Sequence, residues 1–440
     1  MALGGGTWQA QNKILPGTYI NFSSLRRASA NLSTRGIAAA PFTLSWGPES
    51  TVIKVTSEDF RTNCLDLFGY AIDHDKMLYL REIFTHATTV YCYRLGTGAT
   101  KAENIYATAK YGGVRGNDIT IVIAANADDS DMFDVSTVVD GITYDTQTVE
   151  TAAGLKSNGW VDFKMDASLV ATAGTPLTGG SDKTQINGTD HQNFLDAISS
   201  YSFNTLCCGA SDAATVAVYA AFAKRMRDTV GSKFQLVAWQ ANADYEGVIG
   251  VWNIASHGAI LGVDTHALVY WVAGAQAGVE VNKSLTNTIY DGELTIDVSY
   301  TQSQLEDAIK AGKFMFHNVN GEVRILDDIN TLVSLTDEKG EIFQSNQTVR
   351  VCDQIANDTA VLFNARYAGT VPNDASGRAT LWNDVVKLMQ ELERIRAIEN
   401  FSTEIVSVEL GNSKKAVQLT INGLNIVNAM AQLYMSVIIQ

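Results

Sequence analysis

Between residues 190 and 335, strand-forming and helix-forming segments alternate along the chain, and this pattern restricts the fold more than any other feature. The predicted order begins helix, strand, helix, strand, over residues 193–201, 203–208, 212–226 and 233–239. Parallel strands need a crossover connection, which is usually a helix packed on the sheet. The sequence therefore predicts an α/β domain built on a parallel sheet. In its first strand, Cys207 and Cys208 should point to opposite faces.

A second α/β region precedes this one, and a β-rich segment separates the two. A helix is predicted to start at Ser57 and to end at Gly69, and a second helix (75–86) and a strand (90–94) follow. From 97 to 181, short apolar runs alternate with turns and acidic loops, and helical signals are scarce, which indicates an all-β insertion. The glycine-rich stretch at 112–116 precedes a strand, whereas a dinucleotide-binding loop would follow one. It is therefore interpreted as a turn into the insertion.

Two local signals fix further elements. Ser303 and Glu306 have the spacing of a capping box, which predicts a helix that begins there and stops at Gly312. Asn320-Gly321 lies between two apolar runs, at 314–319 and 323–326, and is the strongest short hairpin signal.

Both ends of the chain are unusually apolar for terminal segments. In residues 431–440 every second residue is apolar, which predicts a strand with one apolar face carrying Leu433, Met435, Val437 and Ile439. Near the start, residues 18–22 are predicted to form a short strand with Tyr19, Ile20 and Phe22. An exposed apolar strand must pair with something. The partner is either a sheet of the same chain or, by strand addition, a sheet of a neighbouring molecule.

The longest predicted helix covers residues 381–398. Its apolar residues repeat with a spacing of four and three, and they are Leu381, Val385, Leu388, Leu392 and Ile395. Lys387, Glu391 and Arg394 lie off this stripe. Core packing explains the stripe most simply, although the charged face could also contact another protein.

Composition and motifs argue against catalysis and against several kinds of ligand. The 47 acidic residues outnumber the 32 basic ones, giving a net charge of −15, which disfavours nucleic acid and anionic membranes as partners. The first residues do not resemble a leader peptide, and no run of 18 apolar residues occurs. The five cysteines and six histidines lack metal-site spacings, and P-loop and GxSxG motifs are missing. No catalytic residue, cofactor site or metal site is predicted.

Several segments, in order along the whole chain, resemble contractile phage tail sheath proteins, especially those of myophages, prophages and R-type bacteriocins of Gram-positive type. They are Met1-Ala-Leu-Gly-Gly-Gly6, Leu15-Pro-Gly-Thr-Tyr-Ile-Asn-Phe22, Ala109-Lys-Tyr-Gly-Gly-Val-Arg-Gly-Asn-Asp118, Thr175-Pro-Leu-Thr-Gly-Gly180, Tyr201-Ser-Phe-Asn-Thr-Leu206, Lys224-Arg-Met-Arg-Asp228, Ala273-Gly-Ala-Gln-Ala-Gly278, Val371-Pro-Asn-Asp-Ala-Ser-Gly377 and Arg396-Ala-Ile-Glu-Asn400. None of them is a catalytic signature, and the resemblance covers essentially all 440 residues.

The resemblance implies a multidomain architecture of α/β and all-β parts, as expected for a chain of this length. Its domains would be an N-terminal arm (1–22), an N-terminal α/β segment (23–98), an inserted β-sandwich (99–182), a subtilisin-like α/β domain without a catalytic triad (183–335), and a C-terminal α+β sheath domain with a terminal strand arm (336–440). The subtilisin-like label is a fold analogy and implies no protease activity.

The resemblance also implies a function and a set of partners. Such proteins form hexameric rings stacked on a tail tube, and they contract without a nucleotide. The expected partners are other copies, the tail tube protein, and baseplate and tail terminator proteins, with no direct nucleic acid contact and no membrane insertion. Assembly is expected in the bacterial cytoplasm, and the product is a virion tail or a released bacteriocin particle. The arms would add strands to neighbouring subunits, and Lys387, Glu391 and Arg394 would face the tube. The rival hypotheses are a hydrolase of subtilisin-like fold and a soluble binding module.

Overall fold

The computed structural model describes residues 32–183, 185–260 and 262–439, which fall into two compact units. The larger unit comprises Ser33–Asn357 and Ile395–Glu399 together with the described residues from Ile426 onward. The smaller unit comprises Leu32, Asp358–Arg394 and Asn400–Asn425 of the described residues. The predicted N-terminal strand at 18–22 lies outside the described residues.

The strands of the described chain, numbered in chain order, are β1 (Ile37–Phe42), β2 (Val52–Thr56), β3 (Thr89–Arg94), β4 (Ala107–Ala109), β5 (Ile119–Ala125), β6 (Phe133–Val139), β7 (Ile142–Val149), β8 (Val161–Phe163), β9 (Thr172–Pro176), β10 (Thr205–Cys207), β11 (Gln235–Trp239), β12 (Val248–Val251), β13 (Ala255–Ser256), β14 (Thr295–Ile296), β15 (Lys313–Phe314), β16 (Phe316–Val319), β17 (Glu322–Ile325), β18 (Ile398–Glu399), β19 (Val406–Leu410), β20 (Val417–Ile421) and β21 (Asn425–Ile426). The α-helices are α1 (Ser57–Phe68), α2 (Leu78–Phe84), α3 (Gly188–Ile198), α4 (Ala213–Arg225), α5 (Leu268–Gly278), α6 (Gln302–Lys310), α7 (Asn346–Arg366) and α8 (Ala375–Arg394).

A seven-stranded sheet forms the centre of the larger unit, in the order β15-β12-β11-β10-β1-β3-β2. All neighbouring pairs are parallel except β2 and β3. Alternate residues of these strands enter two separate apolar cores. Helices α1, α2 and α5 contribute to the core on one face, and α3 and α4 contribute to the core on the other. The predicted parallel α/β sheet is confirmed, and Cys207 and Cys208 lie in different cores as expected.

The insertion contains β4 to β9 and, over 107–176, no α-helix. A four-stranded antiparallel sheet, β7-β6-β5-β9, and the pair β4–β8 enclose one core that includes Trp160 and Val161. Trp46, which follows β1 in the sequence, is buried in the same core. The all-β prediction for this segment is therefore confirmed.

Arg115 joins the insertion to the rest of the larger unit. It is 3% exposed and its Nε donates to the carbonyl of Gly69 at 2.5 Å. Its guanidinium also pairs with Asp140 and Asp118, and its Cζ lies 4.6 Å from the ring centroid of Tyr70. The glycine-rich stretch before it leads through a short 3-10 turn, Val114–Asp118, into β5, as predicted.

Turn chemistry explains where several elements begin and end. Thr56 and Asp59 form a capping box for α1, and Gly69 ends it with φ +77°. Asn320 and Gly321, at φ +53° and +91°, connect β16 and β17 as the hairpin signal predicted. The capping box of α6 differs from the prediction, because Thr301 and Gln304 form it two residues earlier.

One sequence prediction about strands is wrong, and another is not tested by a single chain. The run 314–319 was expected to be one strand, but it is divided between β15, in the central sheet, and β16, in the hairpin. Residues 427–439 form no strand within the described chain, so the predicted terminal strand is not part of this chain's own sheets, and its pairing with a neighbouring molecule stays a prediction. A strand needs a partner for its backbone groups, and the described chain offers none to this segment.

The smaller unit packs α8 against the antiparallel hairpin β19–β20. Its core includes Leu381, Val385 and Val406. The predicted stripe on α8 is buried as far as Leu392, so the core-packing explanation is confirmed, but the helix covers Ala375–Arg394 and not 381–398. Among the described residues, no helix has both the length and the apolar character needed to cross a membrane.

Candidate assembly surfaces

The most unusual surface is the segment 427–439, called here the C-terminal arm. Leu433, Met435, Val437 and Ile439 are between 71% and 89% exposed. Beyond Ala429, the only hydrogen bond recorded for the described arm joins the hydroxyl of Tyr434 to Oε1 of Gln432, at 2.8 Å. The alternative of a terminal strand within this chain's own sheet is therefore wrong for the described residues. Soluble chains rarely leave such an apolar segment uncovered, so the arm indicates an interaction surface.

The predicted residues of the N-terminal arm, Tyr19, Ile20 and Phe22, lie outside the described residues. Their role in contacts between subunits stays a prediction.

The hairpin β19–β20 has unpaired strand edges, which complement the unpaired backbone of the C-terminal arm. Its two strands form a sheet of their own, and no third strand pairs with either within the described part of the chain. The pairs Val406–Ile421 and Val408–Leu419 lie on one face, which packs in the core of the smaller unit. The pair Glu409–Gln418 lies on the opposite, polar face. Two-stranded sheets are only marginally stable alone, and their free edges accept further strands.

Sequence analysis did not predict the pairing of β20 with β19. The alternation of Val406, Val408 and Leu410 with polar residues was the available signal. It is weak, because the strand is only five residues long.

The polar face of α8 carries the three residues predicted to face a partner. Lys387 is exposed and lies 3.8 Å from Asp384. Arg394 is exposed and makes two hydrogen bonds to the carboxylate of Glu391, at 2.5 and 2.8 Å. These bonds hold the pKa of Glu391 below its usual value. The structure places all three residues outside the buried stripe, on one polar surface.

Asp384, next to this surface, holds the smaller unit together. Its side chain is 6% exposed and accepts hydrogen bonds from Arg366 and from the Tyr367 hydroxyl, both at 2.5 Å. Asp384 therefore ties the end of α7 to α8, and a partner that contacts Lys387 would lie close to this buried carboxylate.

Buried thiols and possible metal ligands are two kinds of chemically reactive group in the described residues. Burial raises the pKa of Cys64 and of Cys208 to about 12, so neither thiol is a ready nucleophile at neutral pH. Within the same residues no three His, Cys, Asp or Glu side chains are placed to hold a metal ion. The surfaces described above suit protein–protein contacts.

Comparison with known families covers nearly the whole described chain. Residues 35–95 match the N-terminal region of domain III of the tail sheath protein Gp18, and residues 89–182 match the phage tail sheath protein beta-sandwich domain. Residues 184–331 match the phage tail sheath protein central domain, and residues 338–440 match the phage tail sheath C-terminal domain.

Individual relatives agree with these matches. The phage-like element PBSX protein XkdK of Bacillus subtilis is 33% identical over 450 aligned positions, which cover 94% of this chain and 95% of that protein. The crystal structure of a sheath tail protein from Desulfitobacterium hafniense is 38% identical, with a TM-score of 0.79 over 89% of this chain and 93% of that one. A sheath tail protein from Listeria innocua is 30% identical, with a TM-score of 0.80 over 92% and 95% of the two chains.

A more distant likeness concerns the fold alone. The helical sheath of the anti-feeding prophage in its contracted state is 14% identical, with a TM-score of 0.55 over 97% of this chain and 99% of that one.

The chain thus has the fold and the exposed surfaces of a structural assembly protein. It belongs to the phage tail sheath protein family. Members of this family are structural proteins of phage tails and not enzymes, which agrees with the sequence prediction. The expected β-sandwich insertion is confirmed as well.

Proposed function

We propose that this chain is the structural and mechanical subunit of a contractile tail sheath. Copies would polymerise as stacked hexameric rings around a tail tube, and contraction would drive that tube through the envelope of a target cell. The observation that carries the proposal is the C-terminal arm, whose apolar side chains are exposed although the rest of the larger unit has a well-packed core. Such a segment suits a chain that is completed by a neighbouring copy.

The arm of one subunit would add to the hairpin β19–β20 of another. Backbone hydrogen bonds would supply affinity, and the alternating side chains would fix the register. With Leu433, Met435, Val437 and Ile439 on one side, an added strand would extend the apolar face that Val408 and Leu419 already present to the core. The N-terminal strand with Tyr19, Ile20 and Phe22 would make a second exchange of the same kind.

The polar face of α8 would contact the tail tube. Lys387 and Arg394 are exposed and carry charges that a solvated partner surface can pair with. Contacts that must break during contraction should be polar, because a large apolar interface would hold the sheath in place.

The domain division would follow the sheath family: an arm (1–22), an N-terminal segment (23–98), the β-sandwich (99–182), a subtilisin-like domain (183–335), and a C-terminal domain that faces the tube (336–440). The joint at Arg115 supports a β-sandwich that moves together with the rest of the larger unit. Linked subunits would then rotate as nearly rigid bodies and repack into a wider, shorter helix. The energy would come from new contacts between subunits, without a nucleotide.

The other proposed partners are the baseplate, which would start contraction, and a tail terminator. The sheath would assemble in the bacterial cytoplasm and would belong to a virion tail or a released R-type bacteriocin particle.

Negative-stain electron microscopy of the purified chain tests the proposal. The full chain should form striated hollow tubes, whereas a chain lacking residues 431–440 should remain as small, folded particles. A matched control keeps the length of the arm but replaces these ten residues by glycine and serine, and it should also fail to form tubes. Tubes from either variant would contradict strand exchange by this arm.

A further inference from the structure

The first residues of the C-terminal arm are held by one buried side chain. Gln347, near the start of α7, is 1% exposed. Its Oε1 accepts the backbone N–H of Ala429 at 2.9 Å, and its Nε2 donates to the carbonyl of Val427 at 3.1 Å. A side-chain amide that bonds a backbone N–H and a C=O two residues apart imitates the pairing of an adjacent strand.

Neighbouring groups support this contact. The second N–H of the Gln347 amide donates to the carbonyl of Asn282 at 3.1 Å, so all of the donors of this amide are used. Asn282 in turn donates to the carbonyl of Ile395 at 2.6 Å, and Val427 donates its N–H to Ala397 at 3.0 Å. Oδ1 of Asn428 accepts from Thr348 Oγ1 at 3.2 Å.

A buried polar network fixes the helix end from which Gln347 projects. The carboxylate of Asp328, which is 1% exposed on its side chain, accepts from Gln276 at 2.6 Å, from Asn346 at 3.0 Å and from Arg350 at 3.1 Å. Arg350 also donates to the carbonyl of Lys283 at 2.6 Å. Among the described residues, Nε of Arg350 has no hydrogen-bond partner, but the carboxylate of Asp328 and both terminal nitrogens of Arg350 are bonded. A buried network with this many bonds favours one arrangement and resists small displacements. The network therefore fixes the position of the first turn of α7, from which the Gln347 side chain reaches the arm.

We infer that Gln347 is a positioning residue that fixes where the arm leaves its own subunit, and thereby the register in which the arm enters its neighbour. The inference rests on the proposed strand exchange. Residues 427–429 are bonded to their own subunit, whereas the backbone of residues 430–439 has no partner in the described chain. Each residue released at the base would lengthen the free arm by about 3.3 Å, and a slip of one residue would turn its apolar face outward.

The test compares substitutions on both sides of this contact. Gln347→Met keeps the volume of the side chain but removes its hydrogen bonds. Ala429→Pro removes the N–H that Gln347 accepts and lies on an exposed segment, so it leaves the fold of the subunit intact. The matched control is Gln302→Ala, at an exposed glutamine of α6 that lies outside the arm and its contacts.

Two readouts separate positioning from general stability. Hydrogen–deuterium exchange of peptides covering residues 426–432 should accelerate in free Gln347→Met and Ala429→Pro subunits. Thermal unfolding should change little in Ala429→Pro, because Ala429 is exposed, whereas Gln347→Met also loses the bond to Asn282. The critical concentration for tube formation should rise about tenfold in Gln347→Met, which removes both bonds to the arm, as expected for losing about 1.4 kcal/mol. It should rise about threefold in Ala429→Pro, which removes one of these bonds. The tubes that do form should show irregular helical order. The Gln302→Ala control should leave the exchange of these peptides and the critical concentration unchanged.

Two results would overturn the inference: wild-type exchange and assembly in both variants, or a loss of assembly in Gln347→Met that only follows global unfolding while Ala429→Pro assembles normally. Failure of the proposed function looks different. In that case the chain lacking residues 431–440 would itself form tubes.

Discussion

The two faces of the C-terminal arm provide a direct test of strand exchange. In the free subunit Val437 is 71% exposed and Ile438 is 91% exposed, so neither side chain supports the fold. Replacing either by serine should change the free energy of unfolding by no more than about 0.5 kcal/mol. In an added strand, however, neighbouring residues point to opposite faces. Val437 shares its face with Leu433, Met435 and Ile439, whereas Ile438 lies on the face of Tyr434 and Ser436.

The expected difference follows from burial. Covering a valine side chain contributes about 1.5–3 kcal/mol, which corresponds to an increase of about 10- to 150-fold in the critical concentration when Val437→Ser removes it. Ile438→Ser removes a side chain from the outer face, so its effect should be several times smaller. The loss of strand propensity is similar in the two variants and cancels in the comparison.

Sedimentation of polymers over a series of protein concentrations measures the critical concentration, and electron microscopy confirms that the pellets contain tubes. Equal effects of the two substitutions would show that the arm does not bind as a strand with one buried face. No effect of either would remove the arm from the interface altogether.

Two further predictions concern the larger unit. Gly113 has φ +132°, and a Cβ there would lie 2.0 Å from the carbonyl oxygen of Ser45. Gly113→Ala should therefore lower the free energy of unfolding by at least about 3 kcal/mol, whereas Gly141→Ala, at φ +78° in open space, should lower it by about 1–2 kcal/mol. Similar urea midpoints for the two variants would refute the reasoning. Burial raises the pKa of Glu82 to about 7, so the folded state holds this proton more tightly than the unfolded state, and the resulting stabilisation should be lost as the pH rises from about 4.5 to 7. Glu82→Gln should therefore raise the melting temperature at pH 8 but not at pH 5, and an equal gain at both values would contradict this assignment.

The parts of the fold that sequence patterns predicted are those whose local signals agree with their final environment. The capped helix α1, the hairpin at Asn320-Gly321 and the strand–helix alternation after residue 190 all formed as expected. In each case turn residues and apolar spacing indicate the same element, and tertiary contacts favour that element as well.

The longest helix of the described chain, α7, gave no such signal because much of its buried surface is polar. Asn346, Gln347 and Arg350 are each no more than 1% exposed. Their hydrogen-bond partners come from distant parts of the sequence, including Asp328 and Val427. A pattern based on apolar spacing cannot find a helix whose burial depends on such partners.

The central strand β1 illustrates a second limit. It contains three consecutive alanines and Pro41, residues that disfavour the middle of a sheet. The structure places it between β3 and β10, with Ala38, Ala39 and Ala40 fully buried. The small side chains of β1 allow α5 to pack close to the sheet. Tertiary packing therefore stabilises this segment as a strand, although its residues have a low strand propensity.

For the assembly surfaces, the sequence identified the arm and the polar residues of α8, but not how the arm is held. The alternation at 431–439 is visible without a structure. The bonds from Gln347 to Val427 and Ala429 join residues about 80 positions apart, and no local pattern indicates them.

The balance of charge in this chain leads to a last prediction about assembly. Each subunit carries a net charge of −15, and packing many copies into a polymer brings these charges together. The arm segment 427–440 contains no charged side chain, so the attraction that it supplies should not depend on salt. Salt screens the repulsion between subunits, with a screening length that falls from about 30 Å at 0.01 M to about 10 Å at 0.1 M. Tube formation should therefore become more favourable as ionic strength rises over this range. A critical concentration that increases with salt would show instead that ion pairs between subunits, such as contacts of Lys387 or Arg394, dominate the interface.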